Sequence, residues 1–317
     1  MYKAHSSLPF FSEADVGEVL EPADLIAAMR TALADFSSGR VQQPVRTVVS
    51  LPEQEAFFGL MPVVYGGILG AKFVTVFPGN FARSIPTHQA LIVTFRADTG
   101  EPLAVLDGRL ITELRTAAVS AVATDLLAAP QARRLAILGS GVQARAHVRI
   151  LSLVRQFSEI RVWSRNPEHA RRCARDIGGI ATSAEAAVRG ADVVVTVTNS
   201  PTPVLHGTWL EPGSLAIAAG AVGRDRRELD SDSMSGAVIV DSREAALQES
   251  GDVLLAGATI HAELGELLSG TAPLPRSARH TVFKSLGIAV EDIAAAQLVL
   301  RVKGLLPDTS PATQTSG

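Results

Sequence analysis

A single cysteine, Cys173, leaves no intramolecular disulfide and no thiolate metal cluster open to this chain, and it suits a reducing compartment. Basic excess is missing too: 29 Lys and Arg stand against 32 Asp and Glu, a net charge of −3. With no Lys/Arg run to track a polyanion, nucleic acid is not an expected partner. No apolar run reaches the roughly 18 residues a membrane span requires, because Gly, Pro or a charge interrupts each one first. Met1 to Phe11 lacks a basic stretch leading into an apolar one, so no secretory signal is expected and the chain reads as cytoplasmic. What is present is 47% apolar and 19% charged residues over 317 positions, a globular composition with length enough for two domains.

The texture changes along the chain. Ala14 to Phe36 carries Val16, Val19, Leu20, Leu25, Ile26, Met29, Leu33 and Phe36 at helical spacing, with Pro22 opening a second helix. Short β-rich runs follow at Val45 to Leu51, Phe57 to Val64, Ala71 to Phe77, Ala90 to Arg96 and Leu103 to Asp107. Ala97-Asp98-Thr99-Gly100 joins the last two as a hairpin. A helix is predicted from about Thr112 to Ala128. Beyond it, strands at Leu135 to Leu138, Ile160 to Trp163, Val193 to Thr198, Ser214 to Ala219 and Val238 to Asp241 alternate with helices such as Ala144 to Gln156 and Pro167 to Ile177. That recurrence is the rhythm of βα units. The expected fold is α/β: a Rossmann-type doubly wound parallel sheet over 121–289, and a separate α+β substrate and dimerisation domain with an antiparallel sheet over 1–120. Ser285 to Val302 predicts an amphipathic helix, residues 290–317 return to the first domain, and Asp308 to Gly317 reads as a frayed tail.

Two sets of residues point to chemistry. Leu135-Ala136-Ile137-Leu138 runs into Gly139-Ser140-Gly141-Val142-Gln143-Ala144, a G-x-G-x-x-A loop between a strand and a helix. The first Gly permits the tight turn, the second lets backbone approach a pyrophosphate, and the helix N-terminus supplies N–H donors. The next strand ends in Ser164-Arg165-Asn166 without the carboxylate that usually holds an unphosphorylated ribose. NADP is therefore the expected cofactor and NAD the alternative, in which Arg165 is only a surface residue. The second set is Arg46, Lys72 and Arg115, three cations in apolar surroundings, where an unpaired charge is expensive. No metal site is expected.

Seven motifs, in order across nearly the whole chain, resemble the ornithine cyclodeaminase/μ-crystallin family. They are Gly59-Leu60-Met61-Pro62, Lys72-Phe73-Val74, Pro86-Thr87-His88-Gln89-Ala90, Leu114-Arg115-Thr116-Ala117-Ala118-Val119-Ser120-Ala121, the glycine loop, Gly220 with Arg227-Glu228-Leu229-Asp230, and Phe283-Lys284-Ser285-Leu286-Gly287. The resemblance implies a homodimer paired through the first-domain sheets, with a small cyclic imino-acid or amino-acid substrate held between the two domains. It implies that Arg46, Lys72 and Arg115 hold the substrate's carboxylate and nitrogen. Thr87, Thr116, Ser285 and the basic Arg226 match cofactor contacts, and Thr196 is counted with them.

Two positions depart from true ornithine cyclodeaminases. Val222 stands where they carry a catalytic aspartate, and Gly59 where they carry a glutamate. Asp225 and Lys284 are similar to the μ-crystallin branch, whose members reduce cyclic ketimines. The expected reaction is thus NAD(P)H-dependent reduction of a cyclic ketimine of the pyrroline- or piperideine-2-carboxylate type. Lys72 would hydrogen-bond the nitrogen, and His88 is a candidate proton relay. An NAD-dependent amino-acid cyclodeaminase or dehydrogenase, with Asp225 as a substitute base, is the alternative enzyme. A non-enzymatic NADP-dependent binding protein is the alternative of another class.

Overall fold

The computed structural model describes residues 7–307. The short strand β1 (Phe10–Phe11) leads into α1 (Glu13–Val19) and α2 (Pro22–Ser37). Ser12 and Asp15 form a capping box on α1, and Pro22 sits in the first turn of α2, where its missing N–H costs nothing. An antiparallel meander follows: β2 (Thr47–Leu51), β3 (Ala56–Tyr65), β4 (Ile68–Val76), β5 (His88–Arg96) and β6 (Pro102–Asp107), with the expected hairpin joining the last two. The sheet is mixed rather than purely antiparallel, because β1 adds to the edge at β6 in parallel. Two residues are too few to show an alternation, which is why the sequence hid that strand.

Helix α3 (Gly108–Leu127) begins four residues ahead of the predicted Thr112 and crosses residue 120 without a break. Asp107 accepts from the Arg109 N–H as its cap. Gly108 allows the early start, since a Cβ there would lie 2.9 Å from the Cβ of Ala90.

The second sheet is built from β7 (Arg134–Leu138), α4 (Val142–Leu151), β8 (Glu159–Trp163), α5 (Pro167–Ile177), β9 (Ile180–Ala181), α6 (Ala184–Val188), β10 (Val193–Thr196) and β11 (Leu215–Ala218). It continues through β12 (Ala237–Val240), α7 (Arg243–Glu249), α8 (Gly251–Ala256), β13 (Ile260–Glu263), α9 (Leu264–Ser269) and β14 (Thr281–Lys284) to the last helix, α10 (Ala289–Val302). All eight strands are parallel, in the order β13-β12-β14-β11-β10-β7-β8-β9. The chain steps outward from β7 to β9 and then returns to β10 on the other side. The crevice of a doubly wound sheet opens at that reversal, beyond the carboxyl ends of β7 and β10.

The expected amphipathic helix from Ser285 to Val302 is corrected in both start and character. Residues 281–284 form β14, inserted between β11 and β12, and the helix starts only at Ala289. Eleven of its fourteen residues are buried, because α10 wedges between α2, α3 and the face of β3 and β4. Gln43 accepts from the Val290 N–H at 2.9 Å, which ties the start of α10 to the segment before β2. The predicted tail at Asp308 to Gly317 lies outside the described residues.

Candidate active site

A cleft of about 1290 Å³ runs between the two sheets, and its halves are made differently. On one side β7 turns at Gly139, whose φ of 132° suits glycine and whose Cβ would meet the Val197 carbonyl at 2.7 Å. Gly141 is the N-cap of α4. A Cβ built there meets nothing within 4 Å, and among the described residues no side chain caps the helix, so the Val142 and Gln143 N–H groups are left for a ligand. Ser140 donates to Ser164 at 2.9 Å, pinning the loop to the end of β8. These features fit the pyrophosphate of a dinucleotide.

Gly139, Ser140, Gly141, Gln143, Ser164, Arg165, Thr87, Thr116, Arg226 and Ser285 all line the cleft. Arg226 leans on Asn199, 3.1 Å from its Oδ1. Val142 does not line it: its side chain is exposed on the first turn of α4, so only its backbone remains for the site. Thr196 does not reach it either, being sealed within β10, and the contacts come from the residues that follow, Val197, Thr198 and Asn199. Asp225 is exposed and outside the cleft, whereas Val222 lines it.

The opposite wall carries the three cations, brought together from the segment before β2, from β4 and from α3. Strand alternation puts Lys72 on the inner face of β4 with Ile68, Gly70 and Val74, and it is only 3% exposed. Every one of the cations has an acidic partner. Lys72 Nζ lies 2.6 Å from Asp292 Oδ2; Arg115 Nε donates to Asp292 Oδ1 at 3.0 Å and Arg115 Nη1 to Glu291 Oε2 at 2.5 Å. Arg46 donates through Nε to Glu249 at 2.8 Å and through Nη2 to the carbonyls of Leu286 and Gly287 at 2.9 and 2.7 Å. Among the described residues, Arg46 Nη1 and Arg115 Nη2 have no partner.

The Ser285–Gly287 turn between β14 and α10 is held from both sides. Arg46 takes its carbonyls, while Asp241 accepts the N–H groups of Leu286 and Gly287 at 2.6 and 2.7 Å. Gly287 has a φ of 74°, and a Cβ there would collide with the Arg115 guanidinium. A second buried network fixes the loops after β10 and β11. Glu228 accepts from Thr198, Gly220 and Ala221, and Lys284 pairs with Asp252 at 3.0 Å and donates to the Ala221 carbonyl at 2.6 Å.

Burial and crowding set the protonation states. Burial pushes Lys72 down to about 8; Asp292 opposes this, and Arg115 and Arg46 add to it. His88, which also lines the cleft, is driven to about 4 by burial and then by Lys72 and Arg115, so it is a neutral imidazole near pH 7. Burial lifts Glu291 to about 7 against the pull of Arg115. Burial would raise Asp292 as well, but Arg115 and Lys72 outweigh it and keep this carboxyl below its usual range.

The sequence reading missed Asp292, Glu291, Glu249 and Asp241. A signal for the first two existed: they are adjacent acids within Ala289-Val290-Glu291-Asp292-Ile293-Ala294-Ala295-Ala296, a stretch otherwise fit for a core.

A glycine crevice at the switch point of a parallel sheet, facing two arginines with free N–H groups and a lysine near its neutralisation point, defines a dinucleotide-dependent oxidoreductase for small anionic substrates. The sequence profile of the ornithine cyclodeaminase/mu-crystallin family matches residues 9–302, and the chain belongs to that family. It is 47% identical over 300 residues to the ketimine reductase mu-crystallin of Mus musculus, covering 92% of this chain and 96% of that protein. It is 36% identical over 293 residues to a Delta(1)-pyrroline-2-carboxylate reductase of Bacillus cereus (strain ZK / E33L), covering 86% and 90%. Among solved structures, the Delta(1)-pyrroline-2-carboxylate reductase of Thermococcus litoralis, in complex with NADH and L-proline, superposes with a TM-score of 0.89 at 31% identity, covering 94% of this chain and 98% of that one.

Proposed function

We propose that the protein reduces the C=N bond of a small cyclic ketimine carboxylate, of the pyrroline-2-carboxylate type, with a reduced nicotinamide dinucleotide. The observation that carries this reading is the pair of unengaged guanidinium nitrogens, Arg46 Nη1 and Arg115 Nη2, beside a buried lysine in a cleft that ends at the glycine loop. A planar carboxylate takes two charge-assisted hydrogen bonds from such a pair, each worth about 1.5–3 kcal/mol. The remaining donors of both arginines are locked by Glu249, Glu291, Asp292 and backbone carbonyls, so the clamp is rigid before substrate arrives.

The glycine loop and the α4 N-terminus would hold the pyrophosphate, and a bound reduced nicotinamide supplies the hydride. Lys72 supplies the proton. In that transfer an N–H bond of the Lys72 ammonium would break and one would form on the substrate nitrogen, leaving a neutral Lys72 amine that solvent reprotonates. A donor shifted to about 8 is mostly charged at neutral pH yet gives up its proton readily. His88, neutral at that pH, can accept or pass a proton but carries no charge to give.

NADP is the preferred cofactor on this reading: β8 runs into Arg165 with no acidic residue at Ser164 or Asn166, and Arg165 lines the cleft. The cyclodeaminase alternative is disfavoured because Val222 brings no base into the cleft, and Gly59 is buried against Val74 where a larger side chain would collide. The chain works as a homodimer on this reading, because the outer face of the first sheet exposes Val49, Phe58, Phe73 and Leu91 together. A monomeric mass in sedimentation equilibrium would contradict that pairing.

The test follows oxidation of NADPH and NADH with a panel of cyclic ketimines for wild type and Arg165→Ala, with ammonia release from ornithine and NAD as the opposing assay. Ketimine reduction by wild type, with the NADPH preference reduced about tenfold in Arg165→Ala, equivalent to about 1.4 kcal/mol, is expected. Ornithine turnover matching ketimine reduction would overturn the reductase reading.

A further inference from the structure

We propose that Asp292 is a positioning residue for this reduction, a single carboxylate that locks the proton donor Lys72 to the clamp residue Arg115. The inference rests on Lys72 being the proton donor. Asp292 is 1% exposed, and its two oxygens are divided between two cations on different elements: Oδ2 to Lys72 on β4 at 2.6 Å, and Oδ1 to Arg115 on α3 at 3.0 Å. It stands in the first turn of α10, where the helix dipole favours an anion. At 2.6 Å the contact with Lys72 is a charge-assisted hydrogen bond that takes one of the three ammonium protons, which leaves two others to be turned towards the cleft.

The groups facing Lys72 make Asp292 decisive. His88 comes from β5, Arg115 from α3, Arg46 from the segment before β2 and Asp292 from α10, with Glu291 next to it on Arg115. Arg115 and Arg46 repel the charged ammonium, His88 is neutral near pH 7, and Glu291 pairs with Arg115. Among the described residues, only the Asp292 carboxylate pairs with Lys72. Without it, a lysine already shifted down by burial would be shifted further and fewer molecules would carry a proton to donate near pH 7. The same carboxylate fixes the Arg115 guanidinium through Nε, so substrate docking and proton delivery share one geometric element.

The full chain has only four lysines, Lys3, Lys72, Lys284 and Lys303, so pH titration by 13C NMR of lysine-labelled protein resolves Lys72, with Lys72→Arg as the assignment control. In Asp292→Asn the Lys72 midpoint should fall by about one to three pH units, the usual effect of one close opposite charge. The alkaline limb of kcat for pyrroline-2-carboxylate reduction should move with it, and kcat near pH 7 should drop by about twofold to a hundredfold, in step with the loss of charged Lys72. A folded Asp292→Asn whose Lys72 midpoint is unchanged overturns the inference, whatever its activity. Asp292→Glu keeps the charge but displaces it by one methylene, so its Lys72 midpoint should stay above that of the Asn variant while kcat falls. Wild-type kcat and KM in Asp292→Glu would also overturn it, and that variant decides alone if Asp292→Asn does not fold. Wild type inert towards every cyclic ketimine would instead refute the proposed reaction, while the titration would still decide the lock.

Discussion

The glycine crevice and the charge cluster share one cleft but are built by opposite means. The crevice is mostly backbone: five contiguous residues, Gly139 to Gln143, place a tight turn and a helix N-terminus where an anion can sit. Its donors are partial charges that need no permanent counter-ion. The cluster is built on charged side chains, with cations at 46, 72 and 115 and acids at 241, 249, 291 and 292, buried except for the half-buried Arg46–Glu249 pair. Full charges at such depth are tolerable only as a set, because removing one strands its partner. Substitutions at the edge of the crevice should therefore tune ligand choice, whereas substitutions in the cluster should also cost the fold.

The largest expected effect is that of Arg115→Ala, which leaves Glu291 and Asp292 buried without their main counter-ion. Breaking a buried pair in this way costs about 3–5 kcal/mol. Denaturant unfolding should read that loss, and kcat/KM for a ketimine should fall with it. A loss below about 1 kcal/mol, in the range of an exposed pair, would erase the distinction between the two regions.

A smaller, pH-dependent effect sits at the joint between them. His147 on α4 bonds Ser120 of α3 at 2.9 Å, coupling the helix of the glycine loop to the helix of Arg115, and burial lowers its pKa from 6.5 to about 4. The unfolded chain therefore takes up a proton that the native state refuses as pH falls below 6.5. The native state keeps its full margin above that pH and loses it progressively towards pH 4. At about pH 5 the loss from His147 is about 2 kcal/mol. Denaturant unfolding of His147→Gln should show a shallower fall in stability between about pH 7 and pH 5 than wild type; an equal fall would place the titration elsewhere. The smallest effect is the tenfold change in cofactor preference at Arg165, which should leave stability untouched.

The same contrast explains what could be read from the sequence. The glycine loop, the hairpin at Ala97 to Gly100 and the βα alternation are local patterns, so they were visible as contiguous motifs. Lys72 and Arg115 stood out as charges in apolar strings, but their partners lie some 180 to 220 residues away in α10 and no spacing rule links them. The expectation of an amphipathic helix from Ser285 concealed those partners. An amphipathic helix leaves a solvated face where acids need no partner, whereas this helix is buried on nearly every side and Glu291 and Asp292 face cations. β14 was hidden for a related reason: four residues carry too little periodicity, and only its place between β11 and β12 makes it a strand.

The division of labour between crevice and cluster can be measured directly by equilibrium titration of wild type and Arg46→Ala, first with NADPH and then, in the NADPH-loaded protein, with L-proline as a carboxylate probe. Arg46 still leaves Arg115 and its acids paired, so this variant tests the clamp with the least disturbance to the fold. NADPH should bind the variant with wild-type affinity, while L-proline should bind at least tenfold more weakly, the loss of one charge-assisted bond of about 1.5–3 kcal/mol. Equal loss of both ligands, or unchanged affinity for L-proline, would show that the buried cations do not form the substrate site.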